Sequence, residues 1–204
     1  MPPIKTPSRE VRAYSSEVRA SPVQAEGEIR FEGYAARFNS WSEDLGGFRE
    51  QIAPGAFTRA LVTDDIRALV NHNPDMVLGR NRSGTLTLTE DEQGLRFEVV
   101  APDAQWARDL RESVKRGDIN QCSFGFTCLR DEWRTVNGKD ERTLLECALH
   151  DVSIVTYPAY EATQASARDI YHAHQEARSN AGFHVVTILK RKLDLKEKEL
   201  TIHE

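Results

Sequence analysis

Apolar residues recur at every second position in several short runs set apart by Gly, Pro, Asn and Asp, which is the signature of half-buried strands. Val11 to Ala20 reads as one strand and Glu28 to Phe38 as the next, with Ile29, Phe31, Gly33 and Ala35 alternating against polar neighbours. They could pair through a turn at Pro22 to Gly27. After a loop from Asn39 to Gly47, FREQI (48–52) gives a short strand, and Pro54 opens a small helix over PGAFTRAL. Proline suits a first helical turn because its missing N–H would have no partner there. DIRALVNHN (65–73) is a further strand, ended by Asn73-Pro74.

The strongest hairpin signal is GTLTLTEDEQGLRFEVV, where Leu86/Leu88 and Leu95/Phe97/Val99 flank the segment Glu90 to Gly94. The period then becomes helical: Asp103 reads as an N-cap, Ala107, Leu110 and Val114 share one face, and Gly117 ends the helix. That helix leads into QCSFGFTC (121–128), followed by two strands, TLLECAL and HDVSIVTYPA. Six or seven short strands with two or three helices predict a mainly β, α+β fold: a closed or nearly closed antiparallel barrel surrounded by helices. From Tyr160 the character changes to an Ala/Gln/Ser/Arg/His segment and then LKRKLDLKEKEL, a solvated helix. The expected organisation is a flexible leader over 1–10, a barrel domain over 11–160, and a helical or partly disordered appendage over 161–204.

Composition narrows the function classes. A chain of 204 residues suits one domain, and 39% hydrophobic with 29% charged residues is globular. The formal net charge of −5 is interspersed along the chain, so no direct nucleic-acid ligand is expected. Cys122, Cys128 and Cys147 are odd in number and form no C-x-x-C pair, which predicts reduced thiols in a reducing cytosol and no zinc site. No apolar run approaches the roughly 18 residues of a membrane span, and the amino terminus lacks a signal-peptide core, so no membrane anchor is expected. No cofactor is expected either.

Candidate chemistry starts from the strand QCSFGFTC. Period 2 puts Cys122, Phe124, Phe126 and Cys128 on a core face and Ser123, Gly125 and Thr127 on the other. A serine on a strand's outer face is ordinarily a solvated side chain. Gly125 changes the picture, because glycine weakens a strand and marks a place where another group comes close. A nucleophilic serine needs a base, and of the six histidines His172, His174, His184 and His203 fall in the appendage, leaving His72 and His150. His72 closes the strand on the parity of Ile66, Ala68 and Val70; a structural histidine is the alternative. Asp151, sharing parity with Ser153, could orient the imidazole. G-x-S-x-G, H-E-x-x-H, the P-loop and G-x-G-x-x-G are all absent.

Five blocks in order, GYAARFNSWSEDLGGFREQIAPGAF, LVNHNPDMVLGR, GTLTLTEDEQGLRFEV, DLRESVKRGDINQCSFGF and LHDVSIVTYPAY, resemble the prohead maturation proteases of tailed phages, over about residues 28–160. The resemblance implies an assemblin-like barrel and a serine endopeptidase with Ser123 as nucleophile, His72 as general base and Asp151 as third member. The family often has Glu at that last position and assemblin a second histidine, so His150 stays open as the alternative. The resemblance further implies cleavage of the scaffolding segment of the major capsid precursor inside the procapsid, in the host bacterial cytoplasm, with self-cleavage near Gln164-Ala165-Ser166-Ala167 and a dimer as further expectations. The oxyanion donors would be backbone N–H groups or an arginine near the nucleophile, with Arg80 after Gly79 as one candidate. A non-catalytic capsid-assembly module on the same barrel is the competing reading, as is an esterase or amidase using the same triad.

Overall fold

The computed structural model describes residues 9–14, 18–21, 28–157 and 167–179. The described strands form two sheets. The first holds β1 (Glu10–Tyr14), β9 (Gln121–Val136), β10 (Lys139–Val155), β5 (Arg67–Val70) and β6 (Asn73–Arg80) in that spatial order, with β4 (Phe48–Ile52) also paired to β10. The second runs β2 (Val18–Ala20), β3 (Ile29–Arg37), β8 (Gly94–Ala101), β7 (Leu86–Glu90). The α+β class follows, with helices α1 (Thr58–Thr63), α2 (Gln105–Arg116) and α3 (167–179).

The expected closed barrel is not what the ladders show. Among the described residues both sheets are open, and a parallel bridge, Phe38 to Ile52, joins β3's end to β4. Nor is the first sheet purely antiparallel: β4 runs parallel to the first part of β10 and β5 parallel to its last part. Alternation reports which face of a strand is buried but carries no information on which edge pairs with which, and that is why topology escaped the pattern.

The same limit explains three boundary differences. Val11 to Ala20 is divided, with β1 pairing β9 in one sheet and β2 pairing β3 in the other. The two expected strands TLLECAL and HDVSIV are one strand of 17 residues, hairpinned to β9 through Asn137 and Gly138 at φ 51° and 76°. Two successive positive φ values identify a primed two-residue turn, which Asn-Gly favours. Bulges interrupt β10, one of them between Leu149 and Asp151. The helix expected from Pro54 begins only at Thr58, after a turn whose Phe57 N–H and Thr58 hydroxyl donate to Glu90 at 3.0 and 2.6 Å.

The β7/β8 hairpin and the buried face of α2, Ala107, Leu110 and Val114, are as the pattern predicts, and Gly117 at φ 81° ends the helix. Asp103 is not its cap: Ala104 holds that position without a side-chain bond, while Asp103 pairs with Arg108. The inner faces of the two sheets enclose the core, in which Phe57 meets Phe124 edge-on at 5.5 Å and Phe124 lies 5.0 Å from Phe126. This is the apolar face expected for Cys122, Phe124 and Phe126, and it anchors the outer face that carries the site. The three cysteines form no disulfide with one another, and burial pushes the Cys128 thiol up to about 12.

Part of the expected appendage packs on this body. Tyr171 stacks on Phe48 at 5.4 Å and His174 on Trp133 at 4.1 Å, while Tyr171 and Gln175 donate to Asp140. LKRKLDLKEKEL, Gln164 to Ser166 of the proposed cut site, and residues 1–8 of the expected leader lie outside the described residues. Glu10, placed in that leader by the sequence reading, begins β1 and is buried.

Candidate active site

His72 does not end a strand. β5 stops at Val70, which pairs with Asn73, and Asn71 and His72 form the two-residue turn to β6 at φ 52° and 56°. A left-handed conformation is uncommon for residues other than glycine and persists only where surroundings hold it. Here the end of β10 does so: Asn71 N–H donates to the Ile154 carbonyl at 2.9 Å, Asn71 Oδ1 accepts from Thr156 N–H at 3.0 Å, and His72 N–H donates to Ser153 Oγ at 3.3 Å. The turn folds the imidazole back onto the outer face of the sheet.

On that face the β9/β10 ladder sets Ser123 opposite Ser153 and Gly125 opposite Asp151. His72 Nε2 stands 2.8 Å from Ser123 Oγ and Nδ1 2.5 Å from Asp151 Oδ1. The structure therefore brings Ser123, His72 and Asp151 into one hydrogen-bonded chain. Asp151 Oδ1 also accepts from Ser153 Oγ at 2.8 Å, and Oδ2 accepts from Arg9 at 2.5 Å. Ser123 and Asp151 are 1% and 2% exposed, so solvent competes little for these bonds.

Gly125 does mark a close approach, but not one that leaves an open space. A Cβ at that position would collide with Asp151 Oδ2 and press on the Arg9 guanidinium at 3.0 Å. The missing side chain makes room for the acid. Gly125→Ala is accordingly expected to displace the carboxylate, lowering activity by at least about 10²-fold, as misplacement of a reacting group by about 1 Å does, and to cost about 1–3 kcal/mol of stability by overpacking. Chemical denaturation together with an activity assay checks both; an alanine variant with native activity contradicts this reading of the glycine.

Burial pushes the Asp151 carboxyl up, but the hydrogen bond and charge of His72, the Ser153 hydroxyl and the Arg9 guanidinium outweigh it, so the group titrates below its usual value. A folded-state value below the unfolded 3.8 means stability present above pH 3.8 and lost as pH falls through the folded value. Wild type is expected to be more stable than Asp151→Asn near neutral pH, with the gap narrowing once pH drops below 3.8. Urea titrations across that range measure it; a gap that stays constant into acid contradicts the shift.

Other candidates lie elsewhere. His150, pushed out of register by the bulge, is exposed and shares a 2.8 Å hydrogen bond with Thr127. Arg80 is engaged by Asp65, at 2.6 Å from Nε to Oδ1 and 2.5 Å from Nη2 to Oδ2, and makes no described contact with Ser123, His72 or Asp151, which leaves the oxyanion role expected of it without support. His172 and His174 sit on α3, and His184 and His203 lie outside the described residues.

Sequence reasoning passed over two groups. Ser153 shares Asp151's parity, and that signal could have found it. The second is a buried ion network: Arg12 donates to Glu10 at 2.8 Å and Glu50 at 3.0 Å, and Arg142 to Glu10 at 2.9 Å, Glu50 at 2.8 Å and Asp131 at 2.7 Å. It ties β1 to β4 and β10 and so fixes β1 beside β9, where the Arg12 carbonyl accepts from Ser123 Oγ at 2.9 Å. Charges such as those of Glu10, Arg12 and Glu50 give no sign of burial in the sequence, since only tertiary pairing makes their burial tolerable.

Comparison with known proteins identifies the family of the chain. The family model described as caudovirus prohead serine protease matches residues 15–176. Among solved structures, the chain is similar to the bacteriophage T4 capsid assembly protease, gp21, with a TM-score of 0.50 and 9% identity over 73% of this chain and 98% of that one, a likeness of fold. No curated protein sequence matches. With a match that spans most of its length, the chain belongs to the caudovirus prohead serine protease family and is a serine peptidase of phage head maturation.

Proposed function

We propose that Ser123 is the nucleophile of this peptidase, His72 its general base and Asp151 the acid that orients the base. The observation that carries the assignment is the continuous path from Ser123 Oγ through both ring nitrogens of His72 to Asp151, at 2.8 and 2.5 Å. A carboxylate accepts only, so Nδ1 carries the proton and Nε2 presents its lone pair to the serine. As Ser123 Oγ attacks the scissile carbonyl, Nε2 takes its proton and then returns it to the leaving amine; water, activated by the same nitrogen, releases the acyl group. Asp151 stabilises the imidazolium formed at each stage. At rest the single Ser123 proton is shared between Nε2 and the Arg12 carbonyl, so the attacking rotamer is the one that gives up Arg12.

The substrate in this reading is the scaffolding segment of the major capsid precursor, cut inside the procapsid in the host bacterial cytoplasm, with the protease itself as a second substrate and a dimer as its assembly. The barrel is part of the same proposal. What supports it is the Phe38 to Ile52 bridge and the bond from Val18 N–H to the Asn120 carbonyl, which connect the two sheets. Co-expression with the capsid precursor and mass spectrometry of the products tests the substrate. Truncated precursor is expected with the wild-type chain, and precursor that stays intact in assembled proheads overturns the reading.

A further inference from the structure

The geometry points to Ser153 as a positioning residue of this peptidase, holding both the base and the acid, an inference that rests on the triad assigned above. Ser153 stands opposite Ser123 on β10 and is 2% exposed. A buried strand serine with its hydrogen bonds met is ordinary. What distinguishes this one is where the bonds go. Its hydroxyl has one proton and two lone pairs. The proton goes to Asp151 Oδ1 at 2.8 Å, the His72 backbone N–H donates to the oxygen at 3.3 Å, and His72 Nδ1 lies 3.2 Å from it. One oxygen thus touches the main chain of the base, the ring of the base and the carboxylate of the acid.

Each contact restricts something the reaction needs. His72 is at φ 56° in a two-residue turn, and the Ser153 oxygen is the described acceptor of its N–H, so it holds a backbone conformation that histidine does not favour. On Asp151 Oδ1 the hydroxyl is a second donor beside Nδ1–H, which fixes the carboxylate plane toward the ring. Ladder pairing sets the oxygen between these groups without a flexible linker, because Ser153 faces Ser123 on one side and Leu69 of β5, the strand that leads into the His72 turn, on the other. Without the hydroxyl, the imidazole and carboxylate spend less time aligned for proton transfer, while Ser153, at 2% exposure, presents almost nothing to a bound substrate.

The test uses a fluorophosphonate, which reports activation of Ser123 without needing the cleavage sequence, on the full chain. Ser153→Ala is expected to lower the maximal phosphonylation rate about 10- to 100-fold, the range that loss of one hydrogen bond to a charged group predicts, with the half-saturating probe concentration unchanged. Ser153→Thr, which restores the hydroxyl on a residue suited to strands, is expected to recover the rate to within a few-fold. Ser153→Cys keeps the volume with a weaker donor and is expected to stay slow, so the threonine and cysteine pair decides the matter if the alanine variant unfolds. Wild-type rates in Ser153→Ala or Ser153→Cys, or a threonine variant as slow as alanine, overturn the inference. Labelling that persists in Ser123→Ala instead overturns the triad itself, so the two failures are told apart.

Discussion

Ser123→Ala is expected to reduce turnover by roughly 10⁶-fold, the order seen when the serine of such a unit is removed. The expectation is this large because no neighbouring group can stand in: the other hydroxyl in the cluster, Ser153, already donates to Asp151, and the one described histidine in contact with Ser123 is His72. The fold should survive. Removing the hydroxyl leaves the Arg12 carbonyl and His72 Nε2 each short of one shared proton, at about 1–3 kcal/mol, against a domain stability of about 5–15 kcal/mol. Time courses of precursor cleavage with wild-type and alanine chains, matched for circular dichroism, measure the ratio. Cleavage by the alanine variant within about 100-fold of wild type would remove Ser123 from the mechanism.

Asp151→Asn is expected to cost roughly 10⁴-fold, the scale of loss when a triad acid becomes an amide. The carboxylate receives donors on both oxygens, His72 and Ser153 on Oδ1 and Arg9 on Oδ2. An asparagine amide placed there must turn its NH₂ toward one set of donors. If it faces His72, Nδ1 must become the acceptor, the proton moves to Nε2, and the base can no longer take the serine proton. If it faces Arg9, a neutral NH₂ meets a guanidinium and the imidazolium loses its counter-charge. Either way kcat falls. His150→Ala is the control, expected within about 2-fold of wild type because exposed polar contacts contribute little; its side chain reaches Thr127 and not the imidazole of His72. A variant pair in which His150→Ala is crippled and Asp151→Asn is active would exchange the two assignments.

The sequence by itself determined the residue types and their faces. The alternation of CSFGF placed Phe124 and Phe126 in the core and Ser123 opposite them, the β7/β8 hairpin and the α2 face were readable from apolar spacing alone, and parity joined Asp151 to Ser153. These are local consequences of periods 2 and 3.6, which depend only on where apolar groups must hide. His72 was legible as a candidate but for an incomplete reason, since strand parity stops at Val70 and the residue belongs to a left-handed turn. Tertiary structure alone decided the rest: that β1 and β2 serve different sheets, that β4 and β5 lie parallel to one long β10, that the room above Gly125 holds a carboxylate, that Arg9 reaches Asp151, and that the charges of Glu10, Arg12, Glu50 and Arg142 are buried together. Each depends on which strand edges meet and on which side chains from distant segments share one space, and hydrogen-bonding edges are chemically alike along every strand until the chain has folded.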